Sequence, residues 1–422
     1  MDFFNSLKTY LNDKEIEALS NSLKEESKHA LLLNKEKMNE ETLLSLFPHL
    51  EKHPIVKNAY LYNKNEYDLG KSIYHALGCF YLQEPSAVIP AYLLNPKPGE
   101  LVLDLCAAPG GKSMQASLLM NNEGLIISND LSKQRAFSIS ENAERLGRGN
   151  LLITNNDFSL IYQKYQNSFD KIILDAPCSG SGMFRKESKM EEDWSYQKVL
   201  KFAEIQKQLI LMSYSMLKPG GKMVYSTCSF SYEEDEEVID YLLKNTDAVI
   251  EQIENNPLFY KSKGEGIHLL PSLFPGEGHY VALIKKPGVI TPTRFEESKN
   301  KYKFYSPYDS ANKYGDYLFT MSETINTKNF NVIRYGVKVG EMIKDEIKFD
   351  HHYAHFVDRF NQEKEISFED LLKYYQGETL NYQTDKGYIL LKYNGINVDI
   401  AKSDGRIIKN HLPKGLRRKY TF

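Results

Sequence analysis

Hydrophobic residues in the first 78 positions recur every three to five residues on a charged background. Leu7 and Leu11 form one such pair, and Ile16, Leu19 and Leu23 continue the pattern. This spacing is typical of amphipathic helices that bury one face. The pattern therefore predicts that residues 1–78 form a helical region.

From residue 79 to 287 the pattern changes to short apolar runs that alternate with helical stripes. One stripe is Ile205, Leu209, Met212 and Met216, and a late run at 278–284 indicates an edge strand. Strands that alternate with helices are typical of a doubly wound, mostly parallel α/β sheet. The predicted strands are Leu101–Leu105, Leu125–Ser128, Leu151–Thr154, Lys171–Asp175 and Lys222–Ser226.

The remainder of the chain opens with a charged, polar stretch at 285–302 and continues with short strands separated by Gly and Asp. These changes predict four domains, at residues 1–78, 79–287, 288–365 and 366–422.

Composition narrows the class of protein. The 422 residues carry a formal net charge of −3 and four cysteines, too few for a disulfide framework. No apolar run approaches the roughly 18 residues of a membrane span, and residues 1–10 lack a signal-peptide pattern. We therefore expect a reduced, cytoplasmic protein without membrane contact, and a monomer.

The segment Asp104-Leu-Cys-Ala-Ala-Pro-Gly-Gly-Lys112 joins a predicted strand to a predicted helix. Its small residues would let a ligand approach the backbone and the free N–H groups of the helix N-terminus. A nucleotide-binding P-loop is the alternative, since Gly111-Lys112-Ser113 fits that motif. Cys106, however, occupies the position at which a P-loop requires glycine.

Two acids follow the next predicted strands. Asp130 and Asp157 would accept hydrogen bonds from ribose hydroxyls and from an adenine amino group. Each could equally be a helix cap or a turn former. Together, at successive strand ends, they favour a ligand that contains adenosine.

Two further strand ends carry cysteines, in Asp175-Ala-Pro-Cys-Ser-Gly180 and Ser226-Thr-Cys-Ser229. If the two strands are neighbours, Cys178 and Cys228 meet in one cleft with Asp175. A thiolate is a good nucleophile in such a place. The residues alone do not say which cysteine attacks, and we expect Cys79 and Cys106 to be unreactive.

Three other patterns are less specific. His351-His352-x-x-His355 lacks a clear acidic or cysteine partner, and we expect no metal site there. The acidic run Glu233–Glu237 is explained by helix capping, with Ser231 and Glu234 as a capping box. From Lys402 to Phe422, seven basic residues face one acid, a concentration of charge that suits RNA phosphates although a solvated tail is the alternative.

The motifs at 104–112, 175–180 and 226–229, with Gly78-x-Phe-Tyr-Leu-Gln-Glu84 before them, resemble the Nop/Sun family of RNA cytosine methyltransferases. The bacterial RsmF branch, which methylates small-subunit ribosomal RNA, is most similar. The segment at 409–418 resembles the PUA-like RNA-binding module of that branch. The resemblance implies a Rossmann-like class I methyltransferase fold for the catalytic domain at 79–287. It also implies RNA-binding regions at 1–78 and 366–422, with a linking subdomain at 288–365.

The resemblance also implies a role for each site residue. S-adenosylmethionine would lie on Cys106, Ala107, Ala108, Pro109, Gly110, Gly111 and Lys112, with Asp130 at the ribose and Asp157 at the adenine. Asp175 would face both the cofactor and the target base. Cys228 would be the nucleophile that attacks cytosine, and Cys178 would help to release the product. An RNA-binding ribosome-assembly factor without catalysis is the remaining alternative.

Overall fold

The computed structural model describes residues 2–186, 188–296, 311–344 and 346–421. Within these ranges, three of the sheets are mainly antiparallel and a larger central sheet is mainly parallel. The central sheet carries the cysteine motifs, so the other sheets matter chiefly for how they surround it.

The N-terminal region is not purely helical, and that prediction was wrong. The expected stripe does form helix Asp13–Ser22, which Asn12 and Glu15 begin with a capping box. An antiparallel sheet follows this helix. It was not predicted because residues 30–33 of its strand are buried on both faces and therefore lack the alternation of apolar and polar residues that marks a strand. In spatial order its strands are Glu51–Lys52, Ala59–Tyr62, His29–Leu33 and Phe80–Gln83.

The fourth strand of that sheet lies beyond residue 78, so strand pairing crosses the predicted domain boundary. Short helices lie between and beside the strands. They are Phe3–Ser6, Leu7–Thr9, Glu40–Leu46, Leu69–Lys71 and Ile73–Ala76.

The central sheet has the predicted doubly wound, mostly parallel form. Its order reverses between the strands Leu101–Asp104 and Phe169–Asp175, which leaves a crevice at their carboxyl ends. In spatial order the strands are Val249–Ile250, His279–Lys285, Leu217–Thr227, Phe169–Asp175, Leu101–Asp104, Leu125–Asn129, Leu151–Thr154 and Val332–Tyr335.

Strand His279–Lys285 was predicted to be an edge strand, and this was wrong. Val249–Ile250 and Ile267–Leu269 both pair with its outer side. Both are too short to give a clear sequence pattern. The helices that accompany the sheet are Ser86–Val88, Ile89–Leu94, Gly111–Leu119, Lys133–Leu146, Phe158–Leu160, Tyr162–Tyr165, Ser181–Met183, Ser188–Glu192, Tyr196–Met216 and Glu236–Asn245.

The C-terminal part forms two sheets of short strands. The first contains Asn312–Tyr314, Tyr317–Thr320, Val337–Ile343 and Glu346–Phe349. The second contains Glu363–Glu365, Gly387–Tyr393, Ile396–Ser403, Ile407–Lys409 and Leu380–Asn381. The helices are His351–Ala354, Phe368–Tyr375 and Lys414–Leu416.

The two ends of the chain share one hydrophobic core. Leu31 and Tyr60 of the N-terminal sheet belong to the same buried cluster as Leu371 and Val398 of the C-terminal region. Strand Val332–Tyr335 also joins the central sheet, next to Leu151–Thr154. The C-terminal region is therefore packed onto the rest of the chain.

Candidate active site

The small-residue loop runs from strand Leu101–Asp104 to helix Gly111–Leu119, as predicted. Gly110 begins the helix in the left-handed region, with φ of 107°. A Cβ on Gly111 would lie 2.4 Å from the side-chain amide of Gln83. Gly110 is thus required by its backbone conformation, whereas a side chain at position 111 would have to displace the end of the Gln83 side chain. The loop keeps room for a ligand over its free N–H groups.

A buried carboxyl group lies beneath this loop. The hydroxyl of Ser113 donates to Asp104 Oδ2 at 2.6 Å, while Asp104 Oδ1 lacks a partner among the described residues. Burial raises the pKa of Asp104 to about 7.

Burial also raises the pKa of the Cys106 thiol, and the Cys106 side chain packs against the apolar core. Cys106 therefore stays a neutral loop residue, as expected.

The two strand-end acids differ in their surroundings. Asp130 is buried, and it accepts from Ser132 N at 2.9 Å and from Ala108 N at 3.3 Å. Asp157 is exposed, and it caps helix Phe158–Leu160 by accepting from Ser159 N at 3.0 Å. Asp130 therefore fixes the loop that it faces, whereas the structure gives Asp157 a capping contact alone.

The two cysteines meet, as the sequence predicts from neighbouring strands. Strands Phe169–Asp175 and Leu217–Thr227 run parallel and pair Asp175 with Ser226. Cys178 Sγ and Cys228 Sγ lie 3.0 Å apart. A hydrogen bond with Cys228 and burial hold the pKa of the Cys178 thiol well above its usual range. Cys178 therefore keeps its proton and can donate it toward the sulfur of Cys228.

Asp175 joins the cysteine pair to the loop at 104–112. It pairs with Lys112 Nζ at 2.7 Å and accepts from the Ser226 hydroxyl at 2.7 Å. Burial is the largest single influence and opposes the charge, but Lys112, His279 and the hydrogen bond from Ser226 together outweigh burial, so the pKa of Asp175 is lowered. A carboxylate thus bonds both the loop at 104–112 and the end of the strand that precedes Cys228. The glycine-rich pattern at 104–112 gave no sign that Lys112 would pair with this acid.

Glu234 was missed as a site residue, and its predicted capping box with Ser231 is wrong. Helix Glu236–Asn245 has Asp235 at its N-cap, without a side-chain cap. The buried carboxylate of Glu234 instead accepts from Ser179 N at 2.8 Å, from the Ser179 hydroxyl and from the Ser229 hydroxyl at 2.6 Å.

Gln206 completes this arrangement. Its side-chain amide donates to Glu234 at 3.1 Å and to the Pro177 carbonyl at 2.9 Å. One carboxylate, that of Glu234, therefore bonds the loops that carry both cysteines. Burial raises the pKa of this carboxyl group. The sequence offered one signal for this role: an acidic run directly after a cysteine motif.

Side chains with metal-ligand chemistry form hydrogen bonds within the protein, but Asp235 Oδ2, Glu236 Oε2 and His268 Nδ1 are buried without a partner among the described residues. Among the residues that the structure describes, Asp235, Glu236 and His268 form one buried group of that type. His268 lies 2.8 Å from Glu236, and the hydroxyl of Thr227 donates to Asp235 at 2.6 Å. The rings of the histidine triplet lie close together, His351 being 5.1 Å from His352 and 5.0 Å from His355 between ring centroids. They pair with different acids: His351 with Asp399, and His352 with Glu144 and Asp350. The absence of a metal requirement stays a prediction.

Comparison with known proteins adds three family matches. "16S rRNA methyltransferase RsmB/F" matches residues 91–285, the "N-terminal domain of 16S rRNA methyltransferase RsmF" matches residues 1–85, and the "Methyltransferase RsmF PUA domain" matches residues 362–418. Each match covers a different part of the chain.

Individual proteins agree with these matches. The chain is 33% identical over 391 residues to the ribosomal RNA small subunit methyltransferase F of Psychromonas ingrahamii, which covers 83% of this chain and 81% of the relative. It is 40% identical over 252 residues to the tRNA (cytosine(49)-C(5))-methyltransferase of Pyrococcus abyssi, over 56% of this chain and 80% of that one. The chain belongs to the RsmF family.

A solved structure supports the fold of this RsmF-family chain. The crystal structure of a methyltransferase homologue from Pyrococcus horikoshii aligns with a TM-score of 0.59 and 28% identity, over 67% of this chain and 93% of that one. The predicted fold class and family are confirmed, and the protein is an RNA methyltransferase. Neither the P-loop NTPase nor the non-catalytic assembly factor receives support.

The basic C-terminal segment of the RsmF-family chain lies within its PUA domain match, apart from its last residues. Phe422 falls outside the described residues. Arg418 and Lys419 are exposed, and Arg418 lies over the ring of Tyr420 at 4.8 Å. None of the helices within the described ranges is long and apolar enough to cross a bilayer.

Proposed function

We propose that this RsmF-family enzyme transfers a methyl group from S-adenosylmethionine to carbon 5 of a cytosine in small-subunit ribosomal RNA. The observation that carries the proposal is the cysteine pair, with its sulfurs 3.0 Å apart beside Asp175. Relatives named for cytosine C5 methylation of tRNA and for small-subunit rRNA methylation support it.

The residues around the loop suit S-adenosylmethionine. Cys106 to Lys112 supply a close backbone and the N–H groups of a helix N-terminus, and Asp130 supplies a buried carboxylate for ribose hydroxyls. Asp157 would have to release its capping contact to reach an adenine amino group. Asp175 supplies negative charge toward a sulfonium. When bound, S-adenosylmethionine supplies the electrophilic methyl group.

Cys228 is the proposed nucleophile. Carbon 5 of cytosine is a poor nucleophile, and addition of a thiolate to carbon 6 turns the ring into an enamine that can accept the methyl group at carbon 5. The protonated Cys178 stabilises the neighbouring Cys228 thiolate by donating to it. Asp175, kept charged by Lys112, would bind the polar edge of the base.

Release of the product needs a base and a leaving thiolate. The proton on carbon 5 must leave before the bond from Cys228 to carbon 6 can break. Cys178 lies beside Cys228. It would first release its own proton to solvent water, and its thiolate, a strong base because its pKa is raised, would then take the carbon-5 proton while Cys228 leaves as a thiolate. The target nucleotide must be unstacked to reach this cleft, so a loop or a flipped base is the expected substrate.

Incubation with methyl-labelled S-adenosylmethionine and 16S rRNA tests the proposal. Nucleoside analysis should find the label in 5-methylcytidine. Label in another nucleoside, or in tRNA instead of rRNA, would contradict the reaction or the substrate. Bisulfite sequencing of rRNA from cells that lack the protein would then identify the cytosine. A cytoplasmic location and a monomeric state stay predictions, which fractionation and light scattering would test.

A further inference from the structure

A second cleft, of about 530 Å³, lies away from the cysteine pair. Five parts of the chain line it: the helix Ile73–Ala76, the end of helix Lys133–Leu146, the histidine segment 351–355, Tyr375 at the end of helix Phe368–Tyr375, and the C-terminal segment 413–420. The N-terminal region, the methyltransferase fold and the PUA domain thus all contribute to one cavity. None of the proposed catalytic or cofactor residues lines it.

Two arginines in this cleft lack a carboxylate partner among the described residues. Arg145 donates to the backbone carbonyls of His75 at 2.9 Å and Phe80 at 3.1 Å, and to the Asn142 side chain. Arg418 is exposed and contacts the ring of Tyr420. A guanidinium group bonded to neutral acceptors keeps its full charge available for an anion.

A third cation lies close to the cleft. Lys37 Nζ contacts the carbonyls of Leu77 at 2.9 Å and Arg145 at 3.2 Å, and His355 Nδ1 at 3.3 Å. Burial, with help from Arg148 and Arg145, lowers the pKa of Lys37 to about 7. At neutral pH this amine is therefore charged only in part, so the positive charge of the cleft comes mainly from the two arginines.

The acids of the cleft do not neutralise these cations. Glu144 is occupied by Arg334 and by His352, which lies 2.9 Å from it. Glu141 is exposed on the same helix. Burial, together with the charges of Arg145 and Arg418, lowers the pKa of His75 to about 3, and its Nδ1 is buried without a partner among the described residues. The cleft is therefore electropositive and includes an unused polar atom.

We propose that this cleft binds a phosphate group of the RNA substrate between Arg145 and Arg418. The planar fork of a guanidinium group matches two phosphate oxygens, which favours phosphate over a simple halide. RNA is the expected source because Arg418 belongs to the basic C-terminal segment, where Lys414, Arg417 and Lys419 also lie. The inference rests on the proposed function for the identity of the RNA.

The position of the cleft gives the phosphate a role in placing the RNA. Arg145 and Asp130 flank the two ends of helix Lys133–Leu146, and that helix separates them by about 18 Å. A phosphate in the cleft would thus belong to a nucleotide some distance from the target base. The cleft would anchor the RNA strand, and the cysteine site would select the cytosine.

Arg418→Gln in the full-length protein tests the site. Arg418 is exposed, and its side chain donates no hydrogen bond to another described residue, so its replacement should leave the fold intact. Lys419→Gln is the matched control, since it removes one exposed charge from the adjacent position outside the cleft. Inorganic phosphate is the first probe. It should raise the Tm of the wild type and of Lys419→Gln, whereas Arg418→Gln should lose that response.

A 16S rRNA fragment is the second probe. Arg418→Gln should weaken RNA binding about tenfold and reduce the slope of log K against log salt by about one. KM for RNA should rise while kcat and S-adenosylmethionine affinity stay at wild-type values. An unchanged phosphate response or an unchanged KM in Arg418→Gln would overturn the proposal.

Two other outcomes are distinguishable. Phosphate binding that depends on Arg418, without any effect on RNA affinity, would overturn the assignment to RNA. A wild-type enzyme that binds RNA through Arg418 but forms no 5-methylcytidine would contradict the proposed reaction and leave the phosphate site standing.

Discussion

Glu234→Ala tests whether one buried carboxylate sets the separation of the two cysteines. In the native protein Glu234 accepts hydrogen bonds from Ser179, Ser229 and Gln206. Alanine would leave the Ser179 N–H and one N–H of the Gln206 amide as buried donors without an acceptor, while the amide still donates to the Pro177 carbonyl. Each such donor costs about 1–3 kcal/mol, and the space left by the side chain adds to the loss. We expect the free energy of unfolding to fall by about 3–5 kcal/mol.

The effect on catalysis should exceed the effect of partial unfolding. The two sulfurs lie 3.0 Å apart, and the loops that carry them are joined through Glu234. A displacement of about 1 Å at a reacting group can lower the rate about 100-fold. We therefore expect a loss of that order in kcat for the folded fraction of Glu234→Ala.

Urea unfolding and single-turnover methyl transfer separate the two effects. Glu237→Ala is the control, because Glu237 is exposed in the same acidic run. Glu234→Gln should recover most of the stability and much of the rate, since its amide keeps one acceptor oxygen and the two serine hydroxyls can turn. Wild-type stability and kcat in Glu234→Ala would refute the reasoning, and lower stability with wild-type kcat would reduce Glu234 to a purely structural residue.

Three shorter predictions concern the cofactor loop. Lys112→Met should raise the pKa of Asp175. As the solution is acidified, the variant should therefore lose S-adenosylmethionine binding at a higher pH than the wild type does. The same pH profile in both proteins would contradict the ion pair. The pKa of Asp104 is raised from 3.8 to about 7 in the folded state. The wild type should therefore lose stability as the pH rises from about 4 to 7, whereas Asp104→Asn should not. Parallel curves of unfolding free energy against pH for the two proteins, measured by urea unfolding, would contradict the raised pKa. Asp130→Ala should weaken S-adenosylmethionine binding by about tenfold or more without unfolding the protein, and an unchanged dissociation constant in calorimetry would leave Asp130 as a loop-fixing residue.

The central sheet and the cysteine pair were predictable from the sequence because both follow from local patterns. Buried parallel strands are apolar runs, and residues after neighbouring strands must meet at one edge of the sheet. The pairing of Asp175 with Ser226 is the structural counterpart of that argument. The identity of the nucleophile did not follow from spacing, and came from the resemblance of the second cysteine motif.

Other features depend on contacts between residues far apart in the chain. Glu234 looks like a capping residue because Ser231 precedes it by three positions, yet it bonds Ser179, 55 positions away. Strand His29–Leu33 is buried on both faces from residue 30 onward, so its periodicity does not distinguish it from a helix. The cleft between Arg145 and Arg418 likewise exists only because the two ends of the chain share a core.

The covalent mechanism predicts different failures for the two cysteine variants. Cys228→Ala should abolish methyl transfer and form no adduct, because carbon 5 is never activated. Cys178→Ala should still allow attack and methylation, but elimination should be slow, since the nearby base is missing. The enzyme would then stay attached to its methylated RNA through Cys228.

A denaturing gel of each variant, incubated with RNA and S-adenosylmethionine, is the most direct test of this mechanism. Ser179→Ala provides a control beside Cys178 that keeps both sulfurs. The account predicts a shifted, nuclease-sensitive band for Cys178→Ala and none for Cys228→Ala. The opposite pattern would exchange the roles of the two cysteines, and full activity in both variants would contradict covalent catalysis.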